Sequence, residues 1–208
     1  MKVFHGNIDE PVLNNVSFEI AKNSINIIAG KEGSGKSGIF DLLLKMNRPV
    51  RGNISIGDTN ILDTVDDDYF SKISLASQYP SFFNTSIKDN FMLFGNDFNK
   101  VVETCQKLGI HDYITSLKDG YDTNINTKDI TLSHNFILMA NIARILIKNT
   151  PIMLIDETIS LLDSASKTLV LNIISELKIN HTIVIISNEQ DVIDIADNII
   201  NLEKGKII

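Results

Sequence analysis

An apolar, β-branched run from Ile25 to Ala29 leads without a break into Gly30-Lys31-Glu32-Gly33-Ser34-Gly35-Lys36-Ser37, and a helix-period stretch follows from Lys36. The octet has the spacing G-x-x-x-x-G-K-[ST], in the strand-to-helix setting where that spacing has a mechanism. Glycines let the chain curl until successive backbone N–H groups point inward, and the helix adds the positive end of its dipole. Such a cradle suits a polyphosphate. The candidate binding segment is Gly30, Lys31, Glu32, Gly33, Ser34, Gly35, Lys36, Ser37 and Gly38. Lys36 is placed to reach the β and γ phosphates, and the Ser37 hydroxyl to fill one Mg²⁺ position. The plain alternative, a glycine-rich turn with an exposed lysine, does not account for four fixed residue types at fixed spacing.

A second feature answers the first. Pro151-Ile152-Met153-Leu154-Ile155-Asp156-Glu157 is an apolar strand ending in two carboxylates. A strand of that composition is buried, so its acids emerge at the C-terminal end, where open α/β sheets hold their ligands. Asp156 can then hold Mg²⁺, directly or through water, and Glu157 can orient or deprotonate an attacking water. Two solvated acids in a turn is the bland alternative; the phosphate loop weighs against it.

Further strand-length runs are expected at Val16–Ile20, Ile54–Ile56, Ile73–Ser77, Thr182–Ile186 and Asn198–Leu202. Helical periods are expected after Lys36, from about Asn96 to Leu108, from Ser133 to Lys148 and from Ser164 to Leu177. Strands alternating with helices imply an α/β fold with a mostly parallel sheet and flanking helices. Residues 79–149 read as nearly all helix, an inserted helical subdomain. The remaining 1–78 and 150–208 form the nucleotide-binding core of a single domain, 1–208.

Composition removes several function classes. The 208 residues hold 43 % hydrophobic and 22 % charged residues, fitting one packed domain rather than a disordered or fibrous chain. Nineteen basic against 26 acidic residues leave a net charge of −7, which argues against nucleic acid as a partner. The single cysteine, Cys105, cannot form an internal disulfide and reads as a buried thiol. The longest greasy run, Phe136 to Ile147, is interrupted by Asn141 and Arg144, and no run approaches the roughly 20 apolar residues that cross a bilayer. Work at a membrane therefore needs another chain or another segment to cross it.

Several motifs together resemble the nucleotide-binding domain of ATP-binding cassette transporters, in its exporter form, a P-loop NTPase. Pro11 to Ile20 is similar to the opening strands, and Gly52-Asn53-Ile54-Ser55-Ile56-Gly57 to the next hairpin, so an antiparallel β subdomain is implied in the N-terminal part. Ser77-Gln78-Tyr79-Pro80 through Ile87 resembles the glutamine loop, which implies that Gln78 contacts Mg²⁺ or the lytic water and reports to a membrane domain. Gly120-Tyr121-Asp122-Thr123 resembles the approach to the family's signature, and Ser160-Leu161-Leu162-Asp163 the loop that crosses the dimer interface. Near the N-terminus, Phe4 or His5 is the candidate for stacking on adenine, Phe4 serving equally well as ordinary core. The resemblance implies ATP and Mg²⁺ as cofactors, a transmembrane domain and a second nucleotide-binding domain in a head-to-tail dimer as partners, and a place on the cytoplasmic face of the cell membrane.

Two departures qualify it. The signature Leu-Ser-Gly-Gly-Gln aligns with Leu132-Ser133-His134-Asn135-Phe136. Ser133 can still cap a helix and bond a phosphate, whereas His134 and Asn135 add bulk where backbone should approach closely. Ile137-Leu138-Met139 replaces a polar stretch and is expected to leave a greasy exposed face; Asn126-Thr127 stands where exporters commonly have Gly-Glu. The switch histidine aligns with Asn188, which can bond a phosphate but cannot share a proton; His181 precedes its strand, at the far end from the nucleotide. Slow hydrolysis is expected, because losing one well-placed polar group costs on the order of 10² to 10³ in rate. The implied function is an exporter subunit or domain coupling ATP binding and slow hydrolysis to transport, with a non-hydrolysing regulatory or structural cassette as the alternative. A ribosomal cassette protein lacks its tandem copy and basic linker here, and a DNA-repair cassette its coiled coil. The ending at Lys204-Gly205-Lys206-Ile207-Ile208 suggests one domain of a larger membrane polypeptide or a short natural subunit.

Overall fold

The computed structural model describes residues 2–4, 11–125 and 132–208. In chain order these form β1 (Lys2–Phe4), β2 (Pro11–Asn14), β3 (Ile25–Ala29), α1 (Lys36–Leu43), β4 (Ser55–Ile56), β5 (Thr59–Asn60), α2 (Asp66–Phe70), β6 (Ile73–Ala76), α3 (Ile87–Met92), α4 (Phe98–Lys107) and α5 (His111–Ser116). They continue through α6 (His134–Lys148), β7 (Ile152–Asp156), α7 (Ser164–Leu177), β8 (Thr182–Ile186), α8 (Gln190–Ile193), β9 (Asn198–Glu203) and β10 (Lys206–Ile207). Among the described residues the main sheet has the order β10-β9-β3-β8-β7-β6, parallel except for the antiparallel edge β10. Two antiparallel pairs, β1 with β2 and β4 with β5, belong to the N-terminal part.

The sheet is apolar on both faces because alternate residues of each strand point opposite ways. Ile25 and Ile27 of β3, Met153 and Ile155 of β7, and Ile183 and Ile185 of β8 join a core with Ala140, Ala143 and Ile147 of α6 and Val170 and Ile174 of α7. Ile28, Leu154, Val184 and Ile186 face the other way, onto Ile39, Phe40 and Leu42 of α1 and Tyr69 of α2. Each of the Ile, Leu, Val, Met and Phe side chains contributes about 1.5–3 kcal/mol by leaving water. Cys105 of α4 lies in the first core with no exposed surface, and burial pushes its thiol up to about 11.

Three expectations need correction. Val16–Ile20 is not assigned as a strand: Val16 is buried and Phe18 and Ile20 are half-buried on the second core, so their alternation reports side chains packed on that core. Ile137-Leu138-Met139 does not make an exposed greasy face. Leu138 and Met139 are buried and Ile137 packs on the same core, because α6 lies inside the molecule on nearly every side. Residues 79–149 are also less helical than their pattern: the stretch from Gln78 to Ser86 is irregular, and a 3₁₀ turn occupies Gly120–Asp122.

Candidate functional site

Strand register brings the distant candidates together. Ile28 of β3 lies opposite Ile186 of β8, so two residues further on Gly30 stands beside Asn188. The Gly30 N–H donates to Asn188 Oδ1 at 2.8 Å. Ala76 of β6 lies opposite Ile155 of β7, which by the same count brings Gln78 beside Glu157. Gln78 Nε2 donates to Glu157 Oε2 at 3.1 Å. All four residues follow the C-terminal ends of their strands, on the side where ligands of open parallel sheets gather.

The phosphate loop is braced from below. Gly205, between β9 and β10, donates its N–H to Ser34 O at 2.9 Å and accepts from the Asn14 N–H at 2.7 Å. Gly35, at φ 103°, precedes α1 in the left-handed region, and a side chain there would meet Leu13 Cδ2 at 2.9 Å. A Cβ on Gly30 would run into the Leu202 carbonyl oxygen. Lys36 is buried, and its Nζ donates to Gly30 O at 2.7 Å and Lys31 O at 3.2 Å. The same ammonium stands 3.8 Å from Glu157 Oε1. Ser37 is exposed one residue into α1, as are Lys31, Glu32 and Gly33, while Gly38 is half-buried. Ser34 Oγ is buried with no hydrogen-bond partner among the described residues, an unmet polar atom inside a loop of backbone amides.

Glu157 has φ 49°, a left-handed turn that ends β7, and its N–H donates to Ile186 O at 3.1 Å. Asp156 is the last residue of β7. Burial, reinforced by the Glu157 and Asp41 carboxylates against the pull of Lys36, pushes the Asp156 carboxyl up to about 6. A desolvated carboxylate among other acids gains from a cation, and carboxylate and hydroxyl oxygens are the hard donors that Mg²⁺ takes, so Asp156 and Ser37 are the residues here that could hold one. Asn188 is held from both sides. Ser187 Oγ contacts Ser160 Oγ at 3.1 Å and accepts from the Glu189 N–H at 3.1 Å, and Lys167 pairs with Glu189.

Ser133 caps α6, accepting from the Phe136 N–H at 3.1 Å. Asn135 does not simply add bulk at that helix end. Its Nδ2 donates to Ser166 Oγ at 3.0 Å and its Oδ1 accepts from the Asp163 N–H at 3.2 Å, tying the start of α6 to the start of α7; His134 is exposed. Phe136 is buried against Tyr113, ring centroids 4.9 Å apart. His181 bonds Leu177 O at 3.0 Å and Asn149 Oδ1 at 3.2 Å, remote from the loop. Phe4 lies in β1; His5, Asn126 and Thr127 lie outside the described residues.

Residues absent from the sequence-based candidates also shape the site. Thr158 Oγ1 donates to Ala76 O and Ser77 O, and Asn141 Nδ2 to Ser77 O at 2.9 Å, just before Gln78. Arg144 Nη1 reaches Ser81 O at 2.6 Å. The available signal was the polar interruption of an apolar helix at positions three apart.

Comparison with known proteins assigns the family. The family model described as ABC transporter matches residues 13–160. An ABC transporter ATP-binding protein of Mycoplasma pneumoniae is 33 % identical over 208 residues, covering 99 % of this chain and 33 % of that protein. ABC transporter B family member 17 of Arabidopsis thaliana is 34 % identical over 204 residues, covering 96 % of this chain and 16 % of that protein. A solved bacterial Atm1-family ABC exporter with ATP bound superposes with a TM-score of 0.92 at 29 % identity, covering 99 % of this chain and 36 % of that one. The chain thus spans about a third or less of the length of these relatives. The match over residues 13–160 and the shared architecture agree: the chain belongs to the ABC transporter family, as a nucleotide-binding domain with the P-loop NTPase fold.

Proposed function

We propose that the chain binds Mg²⁺–ATP on residues 30–38 and hydrolyses it slowly, driving export through a transmembrane domain carried on a separate chain or another segment. The observation that carries this reading is the position of Glu157, which has Lys36 at one carboxylate oxygen and Gln78 at the other beside a braced phosphate loop. The fit of a triphosphate is supported by the close backbone approach that only glycine allows at residues 30 and 35, and by the unmet Ser34 hydroxyl.

Loop amides and Lys36 grip the β and γ phosphates, so Lys36 leaves the Gly30 and Lys31 carbonyls and Glu157 Oε1 for the ligand. Glu157 then accepts the proton of the water that attacks the γ phosphorus, as the bond to the β-phosphate oxygen breaks and ADP leaves. Gln78 orients that water and Asn188 bonds the γ phosphate. Ser37, Gln78 and Asp156 would hold Mg²⁺, which neutralises charge building on the phosphate oxygens. Phe4 or His5 is the candidate for stacking on adenine. Residues 79–149 form the helical subdomain, and Ser133 at the start of α6 serves the nucleotide on a second nucleotide-binding domain packed head to tail. The working location is the cytoplasmic face of a membrane.

Retention of Glu157 in full contact with Gln78 and Lys36 favours hydrolysis over a purely regulatory cassette. ATPase rates of the wild type and Glu157→Gln test the reading: the expected loss is about 10²- to 10³-fold with nucleotide binding kept. Equal rates would remove Glu157 from the chemistry. Calorimetry with Mg²⁺–ATP should show binding that Lys36→Ala abolishes.

A further inference from the structure

Gln78 reaches Glu157 from an irregular segment, and irregular segments hold a side chain in place only when something fixes their backbone. Here both flanks are fixed. Before Gln78, the Ser77 carbonyl accepts from Asn141 Nδ2 at 2.9 Å and from Thr158 Oγ1 at 3.1 Å. After it, Arg144 Nη1 donates to Ser81 O at 2.6 Å and Nη2 to Asn90 Oδ1 at 2.8 Å. Asn90, with no exposed surface, accepts from the Phe83 N–H at 2.9 Å and donates to Phe83 O and Ser86 O, both at 3.0 Å.

Arg144 is 7 % exposed, and among the described residues no carboxylate lies within ion-pair distance of it. Its guanidinium lies 3.7 Å from the centroid of the Phe82 ring and 5.2 Å from that of Phe94. Burying a cation without a counter-ion is costly, and a neutral residue could fill the space. What the guanidinium adds is a planar fork that spans two acceptors at once, Ser81 O and Asn90 Oδ1, while stacking on an aromatic face. Asn141 and Arg144 sit three residues apart on α6, hence on one helical face, so a single helix carries both anchors.

We propose that Asn141 and Arg144 are positioning residues for the hydrolytic step, acting together with Asn90 through the backbone on either side of Gln78 to set its carboxamide against Glu157. The proposal rests on the roles given above to Gln78 and Glu157. Tyr79 and Phe83, 82 % and 62 % exposed, belong to the same clamped stretch.

Two readouts on the full chain test it, with Asn141→Ala and Arg144→Lys as variants, so that the loss of one to misfolding leaves the other. The first needs no hydrolysis. In nucleotide-free protein the side-chain amide resonance of Gln78, assigned by its disappearance in Gln78→Ala, should lie away from the random-coil position in wild type and collapse toward it in the folded variants. An unmoved resonance overturns the proposal. The second is a mutant cycle. Each variant should lower kcat about 10- to 100-fold with nucleotide KM held within about twofold. In the Gln78→Ala background neither should lower kcat further. Equal losses with and without Gln78, or a loss confined to KM, would show a general structural role and overturn it. A wild-type protein without ATPase activity would sink the functional reading alone, because the resonance still decides whether these residues hold Gln78.

Discussion

Asn188 ranks first among the individual residues because its amide orientation is set by the protein. Its Oδ1 is committed to the Gly30 N–H, which leaves the NH₂ as the end available to a ligand. It can therefore donate to a phosphate, but it cannot take up and release a proton. Asn188→His should raise kcat at least about tenfold and introduce a pH dependence near 6 to 7, read from a pH–rate profile; an unchanged rate would show that this position does not limit turnover. Asp156 gives a stability test. Its folded carboxyl titrates at about 6, above the ordinary 3.9 or so of an unfolded chain, so the folded state binds the extra proton. The contribution of this group to stability is therefore fully present below about pH 4, is lost as pH rises through about 6, and is absent above that. In metal- and nucleotide-free protein, Asp156→Asn should melt higher than wild type at pH 7, with the advantage shrinking below pH 6 and gone near pH 4. A uniform advantage across that range would assign the effect to something other than titration.

Helices α6 and α7 show what patterning and capping can specify alone. Ser164–Leu177 was readable to the residue, since Asp163 caps it by accepting from the Ser166 N–H at 2.8 Å and its apolar period faces the core. Ser133 does the same for α6, so Ser133→Ala should cost about 1 kcal/mol in a urea titration. It should also lower nucleotide-driven dimerisation, a second readout that distinguishes a phosphate donor from a mere cap. Val16–Ile20 misled because period two marks any segment that lays alternate side chains on a core, whether or not it is part of a sheet. The buried face of α6 was misjudged for a related reason: a run apolar all round means a helix enclosed on all sides. Asn141 and Arg144 were visible as interruptions of that run, but their partners on the Gln78 segment depend on a contact 63 and 64 residues away in the chain.

Across the whole molecule, the candidate site is a product of strand order. The loop after β3, the acids after β7 and Asn188 after β8 converge because these strands are adjacent and parallel, while Gln78 arrives on the next strand, β6. Alternating strands and helices pointed to that sheet, and the phosphate loop marked one strand as central; the order 10-9-3-8-7-6 was not readable, since it depends on pairings between segments up to about 170 residues apart. If two copies close on two nucleotides, both composite sites carry His134 and Asn188. Mixing with a partner bearing an intact Leu-Ser-Gly-Gly-Gln should therefore raise turnover per Glu157 site above that of this chain alone, measured with the partner's own glutamate changed to Gln; no gain would remove the signature as the cause of slowness. The solitary thiol of Cys105 has a practical corollary. Fully enclosed and protonated at neutral pH, it will ignore maleimide reagents in the native state. A fluorophore or spin label attached through a cysteine introduced at Tyr79 would then report motion of that loop from a single address, with no background to engineer away.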